Sequence, residues 1–91
     1  LESEVAKYKV LISNSAEKQL KKLPQQVQQK LIAVIVALGF DPHPYGSKKL
    51  SGYDSTYRVR VGDYRVIYEL EHMEVTVTIL KLGHRKDIYK P

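Results

Sequence analysis

Apolar and polar residues alternate with a period of two along Thr56-Tyr57-Arg58-Val59-Arg60-Val61-Gly62-Asp63-Tyr64-Arg65-Val66-Ile67-Tyr68. Such alternation is the mark of half-buried strands. Gly62-Asp63 breaks it at the middle, and a Gly-first pair suits a two-residue type II′ hairpin loop. That loop sets Val61 opposite Tyr64, Arg60 opposite Arg65, Val59 opposite Val66 and Arg58 opposite Ile67. One face then carries Tyr57, Val59, Val61, Tyr64, Val66 and Tyr68, and the other carries Arg58, Arg60 and Arg65.

Upstream, Tyr8 to Ile12 reads as a short strand with Tyr8, Val10 and Ile12 on one face. Asn14 is expected as a helix N-cap, with Glu17 as its capping-box partner. Ala16, Leu20 and Leu23 recur at helical spacing, and Lys18, Lys21 and Lys22 fall on the wet side. Pro24 interrupts the pattern and suits the first turn of a second helix. Val27, Leu31, Val34, Ile35 and Leu38 mark its buried stripe, and Gly39 its C-terminal cap. Asp41-Pro42-His43-Pro44-Tyr45-Gly46 is a loop signature. After the hairpin, Glu71 to Glu74 makes a polar turn. Val75 to Leu82 is the last strand, with Val75, Val77 and Ile79 on one face; Gly83 ends it. The expected order is β-α-α-β-β-β. It describes an α+β fold with a two-helix hairpin on one face of a curved, mostly antiparallel four-stranded sheet. The arginines would occupy the opposite face.

The chain has 91 residues, enough for a single domain over positions 1–91. It opens on Leu1 rather than Met, so its first residues are expected to stem from cloning and carry no functional argument. The formal net charge is +5, which favours nucleic acid or acidic partners. There is no cysteine, which excludes a disulfide framework and a thiolate metal site. The longest apolar run, within Leu31 to Phe40, is too short to span a membrane, and no secretory signal is visible. A cytoplasmic location with no membrane partner is expected.

The arginines change the picture most. Like charges directly opposite on a sheet destabilise it, so the cluster fits a polyanion site better than a merely solvated face. Guanidinium forks match phosphate oxygens, and Arg85, following the last strand, can reach the hairpin's rim. Several such donors on one phosphate would stabilise the charge of an in-line transition state. Lys48 and Lys49 are candidates for contact with an RNA backbone. Tyr89 has a ring able to stack on a base and a hydroxyl able to take a proton; otherwise it packs the tail onto the sheet. His84 is a weaker candidate acid or base, because Arg85 beside it disfavours an imidazolium. His43 and His72 lie in loops without ligand spacing, so no metal and no cofactor are expected. Tyr57, Tyr64 and Tyr68 share a face with valines, which argues for core rather than a stacking platform.

Together, Leu50-Ser51-Gly52, the Tyr57–Tyr68 hairpin, Leu82-Gly83-His84-Arg85 and the terminal Ile88-Tyr89 resemble the RelE branch of the RelE/ParE toxins. Ser15-Ala16 through Leu20-Lys21-Lys22-Leu23-Pro24 resembles it too, so the likeness runs from about Tyr8 to Lys90. The resemblance implies a toxin of a type II toxin–antitoxin pair. It would be a ribosome-dependent endoribonuclease that cleaves mRNA in the A site, with the 2′-hydroxyl attacking the adjacent phosphate. The family's catalytic positions fall on Arg58, Arg60, Arg65, Arg85 and Tyr89. Arg58 and Arg60 stand where lysine is frequent, and arginine does not deprotonate in proteins, so they suit charge stabilisation rather than proton transfer. The implied partners are a RelB-like antitoxin, the ribosome with mRNA, and operator DNA through the antitoxin complex. Two rival readings are a ParE-like inhibitor of DNA gyrase and an inactive antitoxin-binding co-repressor.

Overall fold

The structure, a computed structural model, describes residues 6–88. The chain runs β1 (Lys9–Ile12), α1 (Asn14–Lys21), α2 (Gln25–Leu38), β2 (Lys48–Lys49), β3 (Thr56–Val61), β4 (Tyr64–Glu71) and β5 (Thr76–His84). The strands form one five-stranded sheet in the order β1-β5-β4-β3-β2. β1 lies parallel to β5, and the other neighbours are antiparallel. The α+β class and the two helices are as expected, but the sheet has one strand more. β2 is only Lys48–Lys49, too short for any periodicity to announce it.

Ser13, not Asn14, caps α1. Its Oγ accepts from the Ala16 N–H at 3.0 Å and donates to the Leu80 carbonyl at 3.0 Å. The hydroxyl thus satisfies a helix start and a strand edge at once, which Asn14 one position on cannot do. Glu17 pairs with Lys21 at 3.1 Å instead of closing a capping box. Pro24 immediately precedes α2, and its carbonyl accepts from the Gln28 N–H at 2.9 Å. Gly39 does cap α2, but with φ −69 it needs no left-handed backbone. Its reason is space: a Cβ there would stand 3.0 Å from Val10 Cγ2 and 3.2 Å from the Tyr8 carbonyl oxygen.

Leu31, Ile35 and Leu38 of α2 and Ala16 of α1 meet Val59, Val66, Tyr68, Leu70, Val77, Ile79 and Leu82 of the sheet in one buried cluster. Burying a side chain of this size contributes roughly 1.5–3 kcal/mol. Tyr57, Val61 and Tyr64 pack against the same cluster, so those tyrosines are core material.

The hairpin register is the expected one, from Val61↔Tyr64 through Arg58↔Ile67. Gly62 has φ +61 and Asp63 is not in the positive-φ region, as a type II′ turn requires. Two features of the last strand differ from expectation. Val75 precedes β5 in the turn, at φ +52, where a β-branched residue is strained. Gly83 lies inside β5, opposite Arg65, rather than ending it.

A register shift between Ile67 and Tyr68 marks a bulge in β5. Ile67 pairs with Lys81 and Tyr68 with Ile79, leaving Leu80 as the extra residue. Beyond Ile12, α1 takes over the outer edge of β5: besides the Ser13 bond, Gln19 Oε1 accepts from the Leu82 N–H at 2.9 Å.

Candidate nucleic-acid interface

Residues paired across an antiparallel ladder point to the same face. On the face away from the helices, one row reads Arg60, Arg65, Gly83. The next reads Lys48, Arg58, Ile67, Lys81. A third, Thr56, Glu69, Thr78, carries acid and hydroxyl instead. The open face is therefore cationic toward the hairpin tip and neutral to acidic toward the other end. Gly83 offers no side chain opposite Arg65, and a Cβ there would meet the buried Ile88 Cδ1 at 3.9 Å.

Arg85 stands at the tip. Its N–H donates to the Asp63 carbonyl at 2.8 Å, and its Nε lies 3.9 Å from Asp63 Oδ1. That ion pair is solvent-exposed and worth little, so it positions the guanidinium without consuming it. Arg58 is half-buried, and its Nε is buried with no hydrogen-bond partner. A buried cationic donor left unmet costs free energy that an arriving anion would return.

The structure thus brings Arg58, Arg60, Arg65 and Lys48 to one face and holds Arg85 at its end. Lys49 is separated from them: it pairs with Tyr57 and belongs to the helix-side face. His84 is also on that other side. It pairs with Tyr64, their ring centroids 5.4 Å apart, and its Nδ1 accepts from the Lys86 N–H at 3.1 Å. It lines a helix-side cavity of about 420 Å³ with Gln19 and Leu23, away from the arginines. Tyr89 lies outside the described residues. Lys81 joins the cationic row although strict alternation from Val77 and Ile79 assigns it to the core; the bulge at Leu80 reverses the parity.

Lys48 owes its place to an anchored loop. The buried Tyr68 hydroxyl donates to the Pro42 carbonyl at 2.7 Å. Burial raises its pKa above the ordinary value, against a smaller lowering by a hydrogen bond from Ser47. Asp41 Oδ1 accepts from the His43 N–H at 3.0 Å. His43 stacks on His72, centroids 5.9 Å apart, a contact their sequence separation hid. Among the described residues no group of three His, Cys, Asp or Glu side chains could hold a metal, and no helix is long and apolar enough to cross a membrane.

The remaining features fall on the far side of the molecule. Ile32 and Val36 of α2 are 44% and 55% exposed, and Phe40 just beyond it 42%. They make an apolar stripe that the sequence reading did not single out, because the opposite stripe of α2 supplies the core.

Comparison with known proteins fits this geometry. Residues 10–89 match the family model described as the ParE toxin of a type II toxin–antitoxin system. Toxin RelG of Mycobacterium tuberculosis is 31% identical, over 91% of this chain and 97% of its own length. Toxin RelE3 of Methanocaldococcus jannaschii is 31% identical, over 89% of this chain and 94% of its own. The crystal structure of the archaeal RelE–RelB complex from Pyrococcus horikoshii contains a chain of 32% identity that superposes with a TM-score of 0.78, covering 89% of this chain and 98% of that one. With the sheet, the hairpin and nearly the full length in common, this chain belongs to the RelE/ParE superfamily of toxins of type II toxin–antitoxin systems.

Proposed function

We propose that this toxin is an endoribonuclease that cleaves mRNA in the ribosomal A site and so stops translation. The observation that carries the reading is the open sheet face, where Arg58, Arg60 and Arg65 lie in adjacent rows with Arg85 held at their end. In the proposed reaction the 2′-hydroxyl of one nucleotide attacks the phosphate that follows it. The 2′-oxygen loses its proton and bonds to phosphorus, and the 5′-oxygen leaves and is protonated. Negative charge builds on the non-bridging oxygens. Arg65 and Arg85 are the donors for that charge, and Arg58 and Arg60 hold the flanking backbone. Guanidiniums do not take protons, so the proton acceptor is assigned to Tyr89, whose ring also suits stacking on a base. Without a base of ordinary pKa, much of the rate must come from positioning, and the ribosome supplies an in-line geometry that a small open surface cannot. Free RNA is therefore a poor substrate.

The partner is a RelB-like antitoxin. Its support is the RelE–RelB pairing in the Pyrococcus horikoshii structure together with two surfaces here, the cationic face and the apolar stripe of Ile32, Val36 and Phe40. Operator DNA is bound by the complex and not by this chain alone, and the toxin acts in the cytoplasm. The description of the matching family by ParE favours one competing reading, a protein-binding poison of DNA gyrase. Adding the purified protein to translating ribosomes and mapping mRNA ends separates the two. New ends within codons support the nuclease. Intact message with inhibited gyrase supercoiling supports the rival.

A further inference from the structure

An open pocket of about 440 Å³ lies on the same sheet face, lined by Leu50, Ser51, Tyr53, Thr56, Ile67, Leu80 and Lys81. Its size is in the ordinary range of small-ligand sites. Ile67, 6% exposed, forms the floor; Leu80 follows Thr76 and Thr78 onto this face by plain alternation, and the β5 bulge brings Lys81 onto it as well. Tyr53 stands 61% exposed at the rim. The cationic row borders the pocket directly: Ile67 sits between Arg58 and Lys81 in the ladder. Arg65 is two residues along the same strand face, roughly 7 Å away at ordinary strand rise.

An apolar floor with an aromatic rim, one strand step from a set of guanidiniums, suits one half of a nucleotide while the arginines suit the other. We propose that this pocket receives the nucleobase beside the backbone held by Arg58, next to the reacting phosphate at Arg65, with the base stacked on Tyr53 and Lys81 meeting an acceptor on its edge. The proposal rests on the nucleic-acid reading above and deepens it, because a base-filled pocket makes this face sensitive to base identity as well as charge. Stacking on an aromatic ring is the common way single-stranded bases are held.

The test is binding of 2′-O-methyl RNA pentanucleotides, which lack the attacking hydroxyl, against strands of equal length and charge with abasic central positions. At low salt the base-bearing strand is expected to bind about tenfold more tightly, the size of one base–aromatic stack. Its addition should shift the amide resonances of Ser51, Tyr53 and Lys81. Tyr53→Ala should abolish the preference for bases while leaving the salt dependence of backbone binding unchanged; Leu80→Ala, checked for folding by circular dichroism, should reduce it. Equal affinity of wild type for both strands, or a preference that survives in Tyr53→Ala, overturns the pocket. A base preference in a protein that does not cut ribosome-bound mRNA supports the pocket and removes the nuclease reading. Cutting without base preference does the reverse.

Discussion

Arginine keeps its proton at every usable pH and offers only donors, so a face built on Arg58, Arg60 and Arg65 can hold charge but cannot move a proton. This limits what each side chain does. Lys48, in the ladder beside Arg58, is expected to meet the RNA backbone. Lys48→Ala should weaken ribosome or RNA binding and reduce the slope of log affinity against log salt by about one. Lys49→Ala, on the other face, should leave both unchanged; salt titrations of the two variants check this, and equal losses would contradict the assignment. The arginine cluster was legible because the period of two and a Gly-Asp turn fix the register without any tertiary information. Lys81 was not legible by counting, since the bulge that moves it is a property of the β4–β5 pairing. Its one trace is a charged residue at a position where alternation calls for core. His84 was a candidate for its imidazole alone; that β5 runs on through Gly83 and turns it toward the helices was not legible.

At the scale of elements, single hydroxyls decide how the layers join. Ser13 caps α1 and bonds the Leu80 carbonyl, so Ser13→Ala should cost about 1–2 kcal/mol. Each such kcal/mol lowers the thermal midpoint of a domain this size by about 4–8 °C. An unchanged melting curve would contradict the double role. Val75→Asn should act oppositely: asparagine tolerates the left-handed region better, and relief of about 1 kcal/mol should raise the midpoint. Tyr68→Phe should destabilise the fold by about 1–3 kcal/mol at neutral pH by leaving the Pro42 carbonyl unmet. Its pH dependence has a definite sign. Burial raises the folded-state pKa of Tyr68, so the unfolded chain loses that proton first as pH climbs. The stabilisation is whole below the unfolded value, about 10, and falls above it. Denaturant titrations above that pH should show a shallower fall for Tyr68→Phe than for wild type, and equal slopes would contradict the burial effect. Sequence predicted these elements but not their seams. Asn14 and Ser13 are both good caps, and only the nearness of the Leu80 carbonyl chooses between them.

The molecule as a whole divides its labour between faces. The helices close one side of the sheet and leave the apolar stripe of Ile32, Val36 and Phe40 outward. The other side is left open with a gradient from arginine to glutamate. Val36→Glu, at a position 55% exposed, should weaken antitoxin binding about tenfold while leaving cleavage intact. Calorimetric titration with the antitoxin beside a cleavage assay reads the two separately, and loss of both would contradict the division. The central claim is that Arg65 and Arg85 stabilise transition-state charge. Single-turnover cleavage of mRNA on programmed ribosomes, with ribosome affinity measured in parallel, tests it most directly. Arg65→Ala and Arg85→Ala should each lower the rate about 100- to 1,000-fold with little change in affinity, as for loss of one preorganised donor. Near wild-type cleavage by both variants would contradict the account and put the gyrase reading ahead.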